Sequence, residues 1–211
     1  MTETKTDELV GRGNKEGADL FREWFDSLAD AAKNGRGAAY VFVMGSMAEL
    51  LHVFDFPLVL PEITSLQTAV RRVADTYLAE AEDYGYSPDI CGYVKADMAV
   101  QLRGGQHPMG QIPKPSVAVM SNACNTYIKW AEIWERMYGI PLFVLDVPAT
   151  RQAGGQFQPG SSDFERDRKY VEAQVRELIT LCEQVSGKKF DIDRLRESLG
   201  YANDMNEGWR R

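Results

Sequence analysis

Ser116-Val117-Ala118-Val119-Met120-Ser121-Asn122-Ala123-Cys124-Asn125 runs into the aromatic stretch 126–138 and then into Ile140-Pro141-Leu142-Phe143-Val144-Leu145-Asp146. Residues 116–120 are a short apolar run containing two valines, which predicts a buried strand. Ser121 to Asn125 supplies turn chemistry and opens a predicted helix over 126–138, where Tyr127, Trp130 and Trp134 recur at helical spacing. Residues 140–145 are a second apolar run, closed by Asp146-Val147-Pro148. A strand, a helix and a strand in such close order make a βαβ unit, which requires its two strands to be parallel.

The same alternation extends outward. Upstream, Ala38–Met44 predicts another buried strand, Gly45-Ser46 turns it into a short helix over 47–54 with Ser46 as N-cap, and 56–60 is a second short strand closed by Pro61. Thr64 or Ser65 then caps one predicted long helix with the stripe Leu66, Val70, Val73, Tyr77, Ala81 and Tyr84, ended by Gly85. A helix over 92–102 and a glycine-rich loop over 103–110 complete the link to Ser116. Nearer the N-terminus, Leu20, Phe21, Trp24, Phe25, Leu28 and Ala32 share one face of a helix from Ala18, stopped by Asn34-Gly35-Arg36-Gly37, while residues 1–16 read as a flexible arm. Downstream come a Gly/Gln/Pro-rich loop over 149–162, a helix over 163–185 and a last helix from Asp191. That last helix reaches Arg211 with no capping signal, which predicts that the chain is part of a longer protein. The predicted fold class is α/β: one domain over 17–211, a mainly parallel sheet flanked by helices and preceded by an N-terminal helix. Ligands of such sheets sit beyond the carboxyl ends of the strands, so the loops after Met44, around Cys124 and after Leu145 are the places to look.

Composition narrows the function classes. The 211 residues carry 24 Lys and Arg against 31 Asp and Glu, a formal net charge of −7, which disfavours a protein built to grip nucleic-acid backbones. No apolar run approaches the roughly 20 residues of a membrane helix, and the polar start Met1-Thr2-Glu3-Thr4-Lys5-Thr6-Asp7 lacks a signal-peptide core. Three cysteines are too few for a secreted disulfide framework. A reducing, cytoplasmic address with cysteines as thiols or ligands is the expectation.

The chemistry-bearing residues divide by context. Cys182 lies on the apolar stripe Val175, Leu178, Cys182, Val185 and reads as core. Cys91 and Cys124 each precede a predicted helix, where backbone N–H groups and the helix dipole favour a thiolate. Two readings stand for this pair: metal or cluster ligands, or small residues at tight turns. His52 follows Leu50-Leu51 and reads as a packed or capping histidine rather than a catalyst. His107 sits in Gly104-Gly105-Gln106-His107-Pro108-Met109-Gly110, on a loop where either a catalytic or a structural role is open. The Tyr127, Trp130 and Trp134 stripe is read as core, with a partner interface as the alternative. No GxxxxGK[ST] element and no strand-borne GxGxxG is present, so no nucleotide site is visible.

Several segments occur in an order that is not generic: Phe42-Val43-Met44-Gly45-Ser46-Met47-Ala48-Glu49-Leu50, Leu60-Pro61-Glu62-Ile63, Gly85-Tyr86-Ser87-Pro88-Asp89-Ile90-Cys91-Gly92-Tyr93-Val94-Lys95, Ser121-Asn122-Ala123-Cys124-Asn125, Trp130-Ala131-Glu132, and Ile140 to Pro148. Together they resemble the 2-hydroxyacyl-CoA dehydratase / benzoyl-CoA reductase family, and most the benzoyl-CoA reductase branch, over roughly 40–191. The resemblance implies two Rossmann-like halves with a [4Fe–4S] cluster between them, held by three cysteines, of which Cys91 and Cys124 match the first two. It implies a homologous cluster-bearing partner subunit, a separate ATP-hydrolysing iron–sulfur activator, ferredoxin as electron donor and an acyl-CoA substrate. The implied activity is oxygen-sensitive reduction of benzoyl-CoA to a cyclic dienoyl-CoA. The alternatives are ketyl-radical dehydration of a 2-hydroxyacyl-CoA and a non-catalytic structural subunit. His107 and its glycine-rich loop are candidates for substrate contact. Cys182 has the wrong helical context to be the third ligand, so the resemblance implies that the third lies in a second half and that this chain is the N-terminal half of a two-domain subunit.

Overall fold

The computed structural model describes residues 5–43, 46–148 and 160–210, with side chains from Gly11 onward. Met44 and Gly45, most of the predicted loop (149–159) and the first four residues of the predicted arm lie outside that description. Four strands, β1 (Ala38–Val41), β2 (Leu58–Val59), β5 (Pro115–Ser121) and β6 (Leu142–Leu145), form one sheet in the order β2-β1-β5-β6, and every pair is parallel. Strands β3 (Gln106–His107) and β4 (Gly110–Gln111) make a separate antiparallel hairpin.

Side-chain alternation along the two central strands builds both faces of the core. Ala38, Tyr40 and Phe42 with Ala118 and Met120 face one side, against α1 (Lys5–Lys33), α4 (Ala74–Tyr84), α5 (Gly92–Leu102) and α6 (Asn125–Tyr138). Ala39, Val41, Val117 and Val119 face the other, against α2 (Ala48–Val53), α7 (Ser162–Ser186) and Leu195 of α8 (Ile192–Arg210). A strand buried on both faces needs apolar residues at every position, which is why the two runs show no polar alternation. Among the described residues no helix is long and apolar enough to cross a membrane.

The expected α/β architecture stands, and three local expectations are corrected. Helix α1 begins at Lys5, so residues 5–16 of the predicted arm are helical, and Leu20 on the predicted apolar stripe is 65% exposed. The single long helix after Pro61 is two, α3 (Pro61–Val70) and α4, broken where Arg72 takes a left-handed φ of 59° and the Val73 N–H returns to the Thr68 carbonyl. The buried side of α3 is Thr64, Ser65 and Thr68, not Leu66 and Val70. The threonine hydroxyls bond back to the Pro61 and Ser65 carbonyls, a pattern that competes with regular helix and bends it. The predicted glycine-rich loop is the β3–β4 hairpin, and there Gly105, at φ 92°, leaves no room for a side chain: a Cβ would lie 2.3 Å from the Ile112 carbonyl oxygen.

The core is locked by one buried carboxylate. Asp97 of α5 accepts from both indoles of α6, Trp130 Nε1 at 2.7 Å and Trp134 Nε1 at 2.8 Å, and from Gln101 Nε2 at 2.9 Å. Gln101 in turn accepts from the Tyr138 hydroxyl at 2.8 Å. The Tyr127, Trp130 and Trp134 stripe is thus core, as expected. Burial pushes the Asp97 pKa up to about 6, against the pull of Trp130, Gln101 and Trp134. The fold therefore holds this proton more tightly than the unfolded chain, so the group's contribution is fully present below about pH 4 and is lost as pH rises to about 6, by roughly 3 kcal/mol. Replacing Asp97 by Ala leaves two buried indole N–H groups unpaired and should lower unfolding stability by about 3–5 kcal/mol. Asp97→Asn should remove this group's loss of stability between pH 4 and 6, so that urea-denaturation midpoints fall less across that range than in the parent chain, and an identical pH profile would refute this account.

Candidate functional site

β1 is followed by β2 on one side, while the chain returns to lay β5 on the other, so the strand order reverses between β1 and β5. The crevice at the carboxyl ends of those two strands is the position where open parallel sheets take ligands. Glu62, in the first turn of α3, spans it: its carboxylate accepts from the Val43 backbone N–H at 2.6 Å and from the Tyr127 hydroxyl at 2.5 Å. The Tyr127 ring stacks on Phe42 with centroids 3.9 Å apart. Next door, Asn122 holds the loop after β6. Its amide donates to the Asp146 carboxylate and the Val147 carbonyl, and its oxygen accepts from the Val147 N–H. Tyr170 and Gln174 of α7 fasten Asp146 from the far side.

Both cysteines singled out in the sequence are helix N-caps. Cys124 caps α6 in an extended conformation, is half-buried and packs on the core, whereas Cys91 caps α5 and is exposed. Neither sulfur makes a capping bond, so neither is consumed by its own helix. Helix α5 leads through the hairpin into the start of β5, so it runs against β5 and opens at the carboxyl pole, where α6 also opens. Asp97, six positions beyond Cys91, ties α5 to α6 through Trp130 and Trp134, which lie six and ten positions beyond Cys124. Among the described residues no cluster of three or more His, Cys, Asp or Glu side chains is arranged to hold a metal ion.

The other candidates have different surroundings. Cys182 is fully buried, and burial pushes its thiol up to about 12, in keeping with the core reading. His52 is exposed in the last turn of α2 rather than packed. His107 is not on an open loop: its ring is buried, stacked at 5.5 Å on Phe25. The Met109 N–H donates to Nδ1, so the ring proton sits on Nε2, which donates to the Thr64 carbonyl at 2.9 Å. The next residue, Ser65, bonds the Tyr93 carbonyl, two positions beyond Cys91, so α3 links the histidine to the turn that carries the first cysteine. A substrate reaching this ring would have to displace Thr64 or Met109.

Reasoning on the residues alone passed over Glu62 as a functional group. Its signal was the Leu60-Pro61-Glu62-Ile63 segment, where proline at the first helical position and an acid beside it mark a helix start.

The fold and the pole together define a class: a parallel α/β domain that presents two thiols beside its strand-order reversal. The chain belongs to the 2-hydroxyglutaryl-CoA dehydratase D-component family, whose sequence profile matches residues 15–211. It is similar to one of the subunits of benzoyl-CoA reductase from Thauera aromatica, 36% identical over 177 residues, which are 83% of this chain and 39% of that protein. It is also similar to the (R)-phenyllactyl-CoA dehydratase alpha subunit of Clostridium sporogenes, 30% identical over 77% of this chain and 38% of that one. The (R)-2-hydroxyisocaproyl-CoA dehydratase alpha subunit of Clostridioides difficile is 26% identical over 91% and 45%. The chain thus spans less than half the length of these relatives.

Burial, reinforced by the charge of Arg71, holds the His107 pKa below its ordinary value of 6.5. The neutral ring is the form the fold favours, so its contribution is present above about pH 6.5 and is lost as pH falls through the folded pKa. His107→Gln should be about 1–2 kcal/mol less stable at pH 7.5, having lost the Phe25 stack and one bond. The difference from the parent chain should shrink at pH 5, as read by urea midpoints at both pH values. A constant difference would contradict the assignment.

Proposed function

We propose that this chain is part of a redox subunit of an ATP-dependent, oxygen-sensitive aryl-CoA reductase of the benzoyl-CoA reductase kind, with Cys91 and Cys124 as two of the thiolate ligands of a [4Fe–4S] cluster. The observation that carries the reading is the pair of cysteine-capped helices, tied to one another through Asp97, that open at the carboxyl pole. The donor chemistry fits: thiolates are the ligands iron–sulfur clusters take, and both sulfurs are free thiols with no capping bond. Two donors are part of a ligand set, and the remaining ones come from outside the described residues.

A cluster held there supplies single low-potential electrons. The chain's own residues prepare the place for it. Both sulfurs stand at helix starts, where the first turns of α5 and α6 begin. Glu62 fixes the end of β1 to α6, and Asn122 fixes the loop after β5 to the loop after β6, so both walls of the crevice are held before any ligand arrives. In this reading ATP is hydrolysed on a separate iron–sulfur activator fed by ferredoxin, a homologous cluster-bearing subunit completes the complex, and the substrate is an aromatic acyl-CoA. The similarity to a benzoyl-CoA reductase subunit supports the aromatic substrate.

A 2-hydroxyacyl-CoA dehydratase subunit is the second reading, favoured by the family's own description and the dehydratase relatives. Electron accounting separates the two, because a reductase consumes electrons for each product whereas a dehydratase recycles one.

Anaerobic iron and acid-labile sulfide analysis of the complete subunit, with EPR after reduction, tests the cluster. About four irons and four sulfides are expected, lost in Cys91→Ser and in Cys124→Ser and retained in Cys182→Ser. Full iron in the first two variants would remove these cysteines as ligands. An iron-free parent protein would replace the redox reading with that of a structural subunit.

A further inference from the structure

The opposite pole, where the strands begin, carries a separate feature. The end of α1, the turn before β1, the turn after α5 and the segment before β5 enclose an open cleft of about 480 Å³. We propose that this cleft binds a small phosphorylated anion, held by Lys33, Arg36 and Lys114.

Charge is the first argument. In a chain of net charge −7, three cations converge on one cleft and no residue lining it is acidic. Several exposed arginines elsewhere pair with carboxylates, as Arg166 does with Asp163, Arg168 with Glu165 and Arg176 with Glu172, whereas Arg71 and Arg72 do not among the described residues. Lys33 and Lys114 make no hydrogen bond or ion pair among the described residues; the Lys114 ammonium lies only over the Tyr138 ring, 5.9 Å from its centroid. Arg36 donates one N–H to the Asp55 backbone carbonyl and none to a carboxylate. The Asp55 carboxylate is itself committed to Lys188 and Arg194. Three unneutralised charges around a concave, partly apolar wall focus a positive potential that draws in an anion.

The walls agree. Helix C-termini repel anions through their open carbonyls, and several of those at this pole are occupied: Asp30 accepts from Asn34, Ala31 from the Arg36 N–H, and Gly104 from the Gln111 amide at 2.6 Å. Gly37 sits so close to Ser116 that a Cβ would lie 2.6 Å from the serine Cβ, so part of the lining is bare backbone. An arginine fork and two lysine point charges are the usual partners of phosphate oxygens. The volume lies within the range of small-molecule sites, about 300–1,000 Å³, and exceeds what a bare phosphate needs, which points to a ligand of nucleotide size. The overall acidity that disfavours nucleic acid is no obstacle to a ligand touching only this patch. The cleft is independent of the cysteines and of any cluster they hold.

Isothermal titration of the complete subunit at low salt, with inorganic pyrophosphate and with ADP as probes, tests the site. Saturable, salt-sensitive binding of at least one probe is expected. It should weaken about tenfold or more in the Lys33→Gln/Lys114→Gln double variant and in Arg36→Gln. Lys129→Gln, whose ammonium pairs with Glu132 on α6, should bind as the parent does. Far-UV circular dichroism and melting temperature confirm that the variants fold. No saturable heat with either probe would overturn the proposal. Equal binding by the double variant, or heat only with a polyglutamate peptide, would also overturn it.

Discussion

The carboxylate of Asp97, shut between two indoles, is the constraint on which the placement of the other parts depends. Burying a lone carboxylate costs several kcal/mol, and three charge-assisted hydrogen bonds offset about 1.5–3 kcal/mol each. The pKa pushed up to about 6 says that the offset is incomplete. Such a contact adds little net stability, but it fixes how α5 lies against α6. Apolar packing of α5 alone would tolerate a slip along the helix axis, because α5 is buried on nearly every side from Val94 to Gln101. A carboxylate that must meet both Trp130 and Trp134, one turn apart, tolerates none. Those two bonds tie the helix capped by Cys91 to the helix capped by Cys124.

Much of the architecture was legible in the sequence because its signals were local. Helix α5 was read with its observed bounds, since proline, cysteine and glycine punctuate one end and Arg103-Gly104-Gly105 the other. The parallel sheet followed from two apolar runs around a helix with aromatic spacing. The misreadings arose where tertiary contacts overrode a local pattern. Leu66 and Val70 fit a helical stripe, yet the interior took Thr64, Ser65 and Thr68, because their hydroxyls find carbonyl partners within α3 or across to Tyr93. His107 read as a loop residue because glycines surround it, whereas those glycines allow a tight hairpin that presses the ring against Phe25.

The site was legible by half. A cysteine before a helix can be read from sequence, and both did prove to be N-caps. The tie between their helices could not be read, since it depends on Asp97, and a buried acid leaves no mark in a stripe of apolar residues. Glu62 was hidden for a similar reason. Its partners, Val43 and Tyr127, lie far from it in the chain and meet it only once β1 and α6 are in place.

The two poles of the sheet are built on different principles. At the carboxyl pole the polar groups of the crevice are already engaged with one another, so the walls are rigid and the two cysteine sulfurs are what they offer to a ligand. Rigid walls suit a group that must be held at fixed positions while charge moves through it, because reorganising the surroundings would add to the barrier. At the amino pole the engaged groups are backbone carbonyls, and the side chains left over are cations. That arrangement selects by charge and tolerates variation in shape. Under the proposed function the reductase and dehydratase readings make the same use of the first pole, so the choice between them falls to the groups that contact the acyl moiety.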